Sequence, residues 1–486
     1  MNCIIAVDEG TTSTRAMLYD ADSHKFLSSG SMDITQYYPS PAWVEQDANE
    51  IYVNTLACII GRIEAAPAGS KIKAIGITNQ RETVVCWDRK TGKPIAPAIV
   101  WQCRRTAEFC ETLKDKAEFI QKKTGLVVDA YFSASKMKWI LDNVPEAQEL
   151  LEKGELCFGT IDSYLIFRLT EGKSFVTDAT NASRTMLFNI HTLKWDDELL
   201  SLFGVPRSAL PEVKFSSDVF GAFKYEGYEI PIAGVAGDQQ AALFGQGCLK
   251  KGTGKITYGT GMFMLVNTGE VPATSGCGLI TTLACSCEKK ATYAIEGSVF
   301  NAGSCVQWLR DELDFFKSSA ESEELASSVP DTGGVYFVPA FTGLGAPYWN
   351  SEARACFVGI SRGTNKRHMT RAVLEAICYS AKDLAVCMCE DGNFELSEIG
   401  VDGGASRNNF LMGFQADVLG VKLVRPIEKE STALGAAYLA AVAVGLIKES
   451  DIPNLKKTEK EFLPSGDRTV FEEKYKAYKN AVAKCL

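Results

Sequence analysis

Histidine is scarce in this chain, and its scarcity removes several classes of enzyme from consideration. Only three histidines occur among 486 residues, namely His24, His191 and His368. None of them lies in a glycine-rich or acid-rich cluster, which disfavours a histidine-dependent hydrolase and a histidine-ligated metal enzyme. No apolar run approaches the roughly 18 residues of a membrane span, and no basic segment followed by an apolar one opens the chain. The sequence therefore predicts a cytoplasmic protein with no membrane partner.

Positive charge is also in short supply. The chain has 51 lysines and arginines against 60 aspartates and glutamates, which gives a formal net charge of −9. Proteins that bind nucleic acids or membrane surfaces usually carry a basic face, so both classes are disfavoured. An anionic ligand must then be held locally, by loops, helix ends or a metal ion.

Cysteine, by contrast, is abundant but dispersed. Most of the 16 cysteines lie within apolar runs, a pattern that predicts buried, reduced thiols and no disulfide scaffold. Two close pairs occur, Cys285/Cys287 and Cys387/Cys389. Because both pairs lack the spacing and the neighbouring ligands of a zinc site, metal binding there is disfavoured.

The first chemical signal lies near the N-terminus. Residues 3–7 read as an apolar strand that ends on Asp8, residues 9–14 as a polar turn, and residues 15–19 as a returning strand. The tip of such a hairpin presents backbone N–H groups and hydroxyls together, which suits a phosphate group, and Asp8 is placed to hold Mg²⁺ through water. An ordinary glycine hairpin explains the same pattern.

The hairpin pattern returns in the second half of the chain. Residues 255–258 and 262–266 read as strands around the tip Gly259-Thr260-Gly261. Two such hairpins predict a duplicated α/β architecture with one phosphate hairpin in each half. Further on, Gly403-Gly404 is expected to open a helix, and such an N-terminus lets a phosphate or a nucleotide approach the backbone closely.

Residues 231–246 join a short apolar run to a closely packed helix start. Gly237 is expected to allow a tight turn that presents Asp238 at the end of the strand. A carboxylate in that position suits a general base. It also suits a plain cap of the following helix, and these residues alone do not separate the two interpretations.

A polar turn at residues 78–82 and a tryptophan further on indicate a site for a small polar ligand. Arg81 and Glu82 are adjacent and able to grip hydroxyl groups, although a solvated salt-bridging turn has the same composition. Trp101 lies beside an amide and two arginines, which is typical of a ligand wall but also compatible with the core.

Taken together, these motifs resemble those of the FGGY carbohydrate kinases over nearly the whole chain. The resemblance rests on long segments that are specific in combination, namely DEGTTSTR at 8–15, GITNQRET at 76–83, IVWQCRRTAE at 99–108, NASRTMLFNIHTL at 181–193, AGDQQAALFGQ at 236–246, TYGTG at 257–261, PAFTGLGAPYW at 339–349, DGGASRNNFL at 402–411 and TALGAAYLA at 432–440.

The resemblance implies a fold and an activity. The fold is an α/β actin-like ATPase with two duplicated, ribonuclease-H-like domains, residues 1–247 and 248–486, around a catalytic cleft. The activity is transfer of a phosphoryl group from MgATP to glycerol, giving sn-glycerol 3-phosphate for glycerol catabolism and glycerolipid synthesis. A homodimer or homotetramer is compatible with this resemblance, and the sequence does not choose between them.

The resemblance also implies roles for individual residues. Asp238 takes the proton of the attacking hydroxyl, and Asp8 is expected to hold Mg²⁺ through water. The residues implied to bind the polyol are Arg81, Glu82, Trp101, Tyr131, Asp238, Gln239 and Phe263. Those implied to bind ATP are Thr11, Thr12, Ser13, Arg15, Thr260, Gly303, Gln307, Gly404 and Asn408.

One departure and two alternatives qualify this interpretation. Bacterial members regulated by fructose 1,6-bisphosphate carry a Gly-Gly-Thr-Arg loop, which residues 223–230 do not match, so we expect that regulation to be absent or altered. A kinase of xylulose, ribulose or gluconate would share the ATP motifs without the Arg81-Glu82, Trp101 and Tyr131 set. An actin-like or chaperone ATPase would share only the two phosphate hairpins.

Overall fold

The computed structural model describes residues 1–465 and 467–486. Its strands, in chain order, are β1 Asn2–Glu9, β2 Ser13–Asp20, β3 Lys25–Asp33, β4 Gln36–Tyr37, β5 Glu45–Gln46, β6 Lys71–Asn79, β7 Val84–Asp88, β8 Ala98–Ile99, β9 Leu156–Thr160, β10 Val176–Asp178, β11 Phe188–Asn189, β12 Lys194–Trp195, β13 Glu212–Lys214, β14 Gly221–Tyr225, β15 Tyr228–Gly237, β16 Thr253–Tyr258, β17 Met262–Gly269, β18 Ile280–Leu283, β19 Tyr293–Val299, β20 Tyr336–Val338, β21 Cys356–Val358, β22 Glu398–Asp402, β23 Lys422–Pro426 and β24 Thr458–Phe462.

The α-helices, again in chain order, are α1 Ala48–Glu64, α2 Ala107–Glu111, α3 Ala117–Thr124, α4 Ser133–Asn143, α5 Pro145–Glu152, α6 Ile161–Leu169, α7 Ala179–Ala182, α8 Asp197–Phe203, α9 Asp238–Gly245, α10 Gly303–Asp311, α11 Glu321–Ser327, α12 Lys366–Gly392, α13 Asn409–Leu419, α14 Ser431–Ala443, α15 Ile452–Leu455 and α16 Arg468–Val482. The chain divides into two compact units, each assembled from three segments.

The first unit comprises Met1–Gly247, Thr281–Tyr293 and Glu430–Leu455. Its six-stranded sheet has the order β14-β15-β6-β1-β2-β3. In it β1 pairs antiparallel with β2 and parallel with β6, and β6 pairs parallel with β15. The predicted N-terminal hairpin is therefore present. β7 belongs to a separate five-stranded sheet, β4-β5-β8-β7-β9, so the polar turn after β6 connects two different sheets.

The second unit comprises Cys248–Ile280, Ala294–Lys429 and Lys456–Leu486. Six of its strands follow the order β19-β17-β16-β22-β23-β24. As in the first unit, a hairpin is followed by two parallel neighbours: β16 pairs antiparallel with β17 and parallel with β22, and β22 pairs parallel with β23. This repeats the order β3-β2-β1-β6-β15, so the predicted duplicated α/β architecture is confirmed. The predicted boundary between residues 247 and 248 stays a prediction.

The longest helix, α12, runs through the core of the second unit. Apolar spacing over residues 371–388 predicts an amphipathic helix. The structure confirms that these residues are helical, but the central part of the helix has no exposed polar face. Its side chains are buried on every side from Ala372 to Ala385, which includes the polar side chains of Glu375 and Asp383. The Arg371 guanidinium pairs with the Glu375 carboxylate at 2.8 Å, and this pairing makes burial of that carboxylate tolerable.

Helix α14 lies unusually close to the sheet and to α9 in the first unit. Glycines make this approach possible, because a Cβ on Gly76 would overlap the Ala436 carbonyl and a Cβ on Gly435 would overlap the Ala241 carbonyl. Gly234 is equally constrained, since its Cβ would lie 2.5 Å from the Ala440 backbone nitrogen. The small residues of α14, which lie in the segment TALGAAYLA at 432–440, thus allow the helix to pack tightly against its neighbours.

Substitution of Gly435 by alanine is expected to lower the free energy of unfolding of the protein by about 3 kcal/mol, because backbone atoms of α9 must move to make room. Gly413→Ala is the matched control, since Gly413 also lies inside a helix and a Cβ there meets nothing within 4 Å. That variant should gain up to about 1 kcal/mol. Urea unfolding of both variants checks the contrast, and equal midpoints would contradict the packing argument.

The cysteines differ from expectation at one place. A disulfide joins Cys356 in β21 to Cys485, just beyond α16, so the prediction of reduced thiols is wrong for this pair, which the fold brings together across 129 residues. The other cysteines are thiols outside any disulfide and are mostly buried. Within residues 1–465 and 467–486, no cluster of histidine, cysteine and acidic side chains is suited to hold a metal ion, and no helix has the length and apolarity of a membrane span.

Candidate active site

Asp238 is the first residue of α9, directly after β15. Its Oδ1 lies 3.2 Å from the Arg81 Nε and accepts a hydrogen bond from the Gln239 backbone N–H at 2.7 Å. Gly237 occupies the cap position, so Asp238 is not the helix cap that one interpretation of the sequence expects. The side chain is 33% exposed. A carboxylate here is stabilised by the helix N-terminus and by a guanidinium, yet remains accessible to a ligand.

Gly237 is required for space and not for a turn. Its φ of −62° is open to any residue, so the expected tight turn is wrong. A Cβ at this position would lie 2.7 Å from the Arg81 Cγ and 3.0 Å from the Gln240 Oε1. The glycine therefore allows the Arg81 side chain to lie against the end of β15.

Arg81 and Glu82 lie in the connection between β6 and β7, and both are almost completely buried, with 3% and 1% side-chain exposure. The alternative of a solvated turn is therefore wrong. Glu82 has a φ of +61°, a left-handed conformation that non-glycine residues seldom adopt and that is concentrated at functional sites. Its Oε1 accepts a hydrogen bond from the Arg184 Nε at 2.5 Å, and Arg184 is itself fully buried.

Two aromatic side chains form a partly buried wall in the same unit. The rings of Trp101 and Tyr131 meet edge to face with centroids 5.5 Å apart. The Trp101 Nε1 donates to the Thr11 Oγ1 at 3.0 Å, which links the wall to the first hairpin. The Arg184 guanidinium lies 5.8 Å from the centroid of the Tyr131 ring. Phe263, the other predicted wall residue, is half-buried in β17 of the second unit.

The tip of the first hairpin is held by its backbone. Gly10 N–H donates to the Ser13 carbonyl at 3.0 Å, and the Thr12 carbonyl accepts from Ile34 N–H at 2.9 Å. Thr12 is exposed and Thr11 and Ser13 are half-buried, so the predicted phosphate residues are ordered and accessible. Arg15, two residues beyond Ser13 in β2, pairs with the Glu430 carboxylate at 2.7 Å.

Negative charge accumulates at the end of β1. Burial and the charge of Asp238 raise the pKa of Asp8 to about 7, against the opposing effect of Arg15. Burial likewise raises the pKa of Glu9 well above its usual value, although a hydrogen bond from Gln80 opposes the shift. The Glu9 Oε2 finds no hydrogen-bond partner among the described residues. The described residues contain no larger cluster of metal ligands, but a hydrated divalent cation keeps several waters and binds few protein oxygens, so the single Asp8 carboxylate is compatible with one held through water.

A cavity of about 520 Å³ lies in the second unit. Its lining includes all five residues of this unit that are predicted to bind ATP: Thr260, Gly303, Gln307, Gly404 and Asn408. The fold explains how they come together, because the N–H groups of Gly303 and Ser304 donate to the carbonyls of Gly259 and Thr260 at 3.0 and 3.1 Å. The start of α10 is thereby fixed to the tip of the second hairpin.

The glycine pair after β22 contributes to the lining of this cavity through Gly404. Gly403 has a φ of +86°, and a Cβ there would overlap the backbone of Tyr258, whereas a Cβ on Gly404 would meet nothing within 4 Å. The helix predicted to open at this pair begins instead at Asn409, after one 3₁₀ turn over Gly404–Arg407. Asn408 caps it by accepting from Leu411 N–H at 2.9 Å, and also donates to the Ser322 Oγ at 3.2 Å.

Several buried polar residues behind the predicted site were not singled out from the sequence. Arg184 and Gln240 lie within the FGGY-like segments 181–193 and 236–246, where the sequence gives them no role. Thr282 lies in β18, far from the other residues of the first unit in sequence. No spacing rule connects Arg184, Gln240 and Thr282, so the sequence gives no signal that these three side chains come together.

Family models match most of the chain. The N-terminal domain of the FGGY family of carbohydrate kinases matches residues 3–245, and the C-terminal domain of that family matches residues 254–444. The chain belongs to the FGGY family of carbohydrate kinases. This agrees with the strand order that both sheets share and places the protein among the enzymes with an actin-like ATPase fold.

Full-length FGGY relatives share about half of the sequence. The glycerol kinase of Halothermothrix orenii is 51% identical over 99% of this chain and 98% of its own. The glycerol kinase of Treponema denticola is 53% identical over 99% of both chains. Among solved structures, Plasmodium falciparum glycerol kinase with ADP has a TM-score of 0.96 at 38% identity, covering 100% of this chain and 98% of that one.

A second solved structure resembles the chain in fold alone. Gluconate kinase from Lactobacillus acidophilus has a TM-score of 0.89 at 24% identity, and the alignment covers 99% of this chain and 97% of that one. The FGGY fold is thus shared by kinases of different polyols. Fold similarity of this kind does not choose among their substrates.

Proposed function

We propose that this FGGY kinase phosphorylates glycerol with ATP, giving sn-glycerol 3-phosphate and ADP. The observation that carries the proposal is the polar group formed by buried Arg81 and Glu82 and partly exposed Asp238, in the same unit as the Trp101–Tyr131 wall. Paired charges that bind adjacent hydroxyls, next to an aromatic surface that accepts a short carbon chain, match a small polyol. Relatives about half identical over the whole chain are glycerol kinases, which supports the same substrate.

The proposed chemistry is transfer of the γ-phosphoryl group to a primary hydroxyl. The hydroxyl oxygen forms a bond to the γ-phosphorus, the bond from that phosphorus to the bridging oxygen breaks, and ADP leaves with the electron pair. The Asp238 carboxylate accepts the hydroxyl proton, a role for which its partial exposure and its position at the start of α9 suit it. Arg81 and Glu82 orient the polyol so that one hydroxyl faces the base.

The nucleotide-binding residues keep the roles that the FGGY resemblance implies. We propose that the hydroxyls of Thr11, Thr12 and Ser13, together with Arg15, bind phosphate oxygens. The second-unit cavity, whose lining includes Gly303, Gln307, Gly404 and Asn408, suits the rest of the nucleotide in size, since such sites are usually about 300–1,000 Å³. We assign Mg²⁺ to the region of Asp8 through water, where it would neutralise phosphate charge.

Other features of the proposal remain predictions. Residues 221–237 form a hairpin in which Tyr225 faces Tyr228 across the two-residue loop Glu226-Gly227. A loop of two residues is too short to enclose a bisphosphate. We therefore keep the prediction that regulation by fructose 1,6-bisphosphate is absent or altered. A cytoplasmic location, the absence of nucleic-acid partners and a homodimer or homotetramer are likewise predictions.

The proposal is tested by measuring ADP release from MgATP with no polyol and with glycerol, xylulose or gluconate. Release that depends on glycerol is the expected result. Release that depends on xylulose or gluconate would move the substrate within the FGGY family. Release at the same rate with and without every polyol would instead identify an ATPase and overturn the proposed kinase activity.

A further inference from the structure

A residue from the second half of the chain lies behind the Arg81 side chain. Thr282 belongs to the segment Thr281–Tyr293 of the first unit and is fully buried. Its Oγ1 accepts a hydrogen bond from the Gln240 Nε2 at 3.0 Å. The Gln240 Oε1 in turn accepts from the Arg81 Nη1 at 3.2 Å. A continuous path of hydrogen bonds therefore runs from Thr282 to the guanidinium that faces Asp238.

Ser183, which contacts Thr282 at the end of this path away from Arg81, fixes the direction of every hydrogen bond in it. The Ser183 Oγ donates its proton to the Thr180 carbonyl at 2.7 Å. Because a hydroxyl has only one proton, the 3.0 Å hydrogen bond between Ser183 and Thr282 must be donated by Thr282. Thr282 then accepts from Gln240, so the amide presents its Nε2 to Thr282 and its Oε1 to Arg81.

We propose that Thr282, acting through Gln240, is a positioning residue that holds Arg81 in the orientation that binds the polyol. This inference rests on the proposed glycerol kinase function. The planar guanidinium contacts the Gln240 amide through Nη1 and the Asp238 carboxylate through Nε. If the amide turned over, its NH₂ group would face the N–H groups of Arg81, and the guanidinium would have to rotate away.

Thr282→Val keeps the shape of the side chain and removes the hydroxyl. It is expected to raise the KM for glycerol about tenfold, since a buried amide loses its acceptor, while the KM for ATP stays unchanged. Thr282→Ser is the matched control, keeps the hydroxyl and should behave as the wild type. Wild-type protein in the same assay separates failure of the Thr282 proposal from failure of the proposed kinase function. A wild type without glycerol-dependent ADP release would refute the proposed function itself.

A second background tests whether the effect passes through residue 240. In Gln240→Glu both oxygens of the side chain accept, so its orientation toward Arg81 no longer depends on Thr282. Adding Thr282→Val to this variant should leave the KM for glycerol unchanged, as expected for coupled positions. An equal tenfold rise in both backgrounds, an equal rise in the KM for ATP, or a Thr282→Ser variant as impaired as Thr282→Val would overturn the proposal.

Ser183→Ala gives an independent test should Thr282→Val not fold. It removes a single oxygen and frees the Thr282 proton to point elsewhere, which is expected to raise the KM for glycerol about threefold without changing the KM for ATP. Thermal unfolding of each variant accompanies the kinetics. A wild-type KM for glycerol in a folded Ser183→Ala variant would overturn the proposed direction of the hydrogen bonds.

Discussion

Replacing Asp238 with asparagine is expected to lower kcat for glycerol-dependent ADP release about 10³-fold, the usual contribution of a positioned general base. Asparagine keeps the size of the side chain and can still accept a hydrogen bond from Arg81, but it cannot take a proton from the attacking hydroxyl. Glycerol should therefore still bind. The two quantities to measure are kcat and the stabilisation of the protein by glycerol against thermal unfolding.

A matched control separates the loss of a base from the loss of a helix-terminal charge. Asp197 is also the first residue of a helix in the first unit, and it is exposed. Asp197→Asn makes the same chemical change and should leave kcat within about twofold of the wild type, as surface substitutions usually do. If Asp238→Asn lost no more activity than Asp197→Asn, the base would have to be sought elsewhere.

The sequence was sufficient for those parts of the fold that repeat a local pattern. Two hairpins with Gly/Thr tips predicted the duplication, and the structure shows the same strand order in each unit. It was insufficient where distant segments meet. The disulfide between Cys356 and Cys485, the glycines beneath α14 and the inclusion of Thr281–Tyr293 in the first unit all depend on tertiary packing, for which no local period exists.

The residues of the candidate site also fall into those that the sequence predicts and those that only the fold brings together. Arg81 and Glu82 stood out because a charged pair interrupts an apolar pattern, and the structure places them together with Asp238. Their burial could not be predicted, because a polar turn with the same residues is usually solvated. The side chains that make the burial possible, Arg184 and Gln240, come from other elements and become visible only in three dimensions.

Arg184 is the site of the second large effect that we expect. Arg184→Met removes the guanidinium that donates to Glu82 at 2.5 Å and leaves that buried carboxylate without one of its cations. Removing one partner of a buried pair usually costs about 3–5 kcal/mol, so urea unfolding should show a loss of this size. The KM for glycerol should rise as well, because Glu82 then turns toward Arg81, 3.7 Å away.

Two further variants decide whether the loss of the Arg184–Glu82 ion pair explains the loss of stability. Arg105→Met breaks another buried pair of the first unit, in which Arg105 contacts Glu45 at 2.6 Å and lies over the Trp43 ring. That control should lose stability without a change in the KM for glycerol. The double variant Glu82→Gln/Arg184→Met removes the uncompensated charge and should regain most of the lost stability while glycerol affinity stays low. Stability that is not regained would indicate that Arg184 acts by filling space beside Phe132, 5.3 Å from its guanidinium, and not by neutralising Glu82.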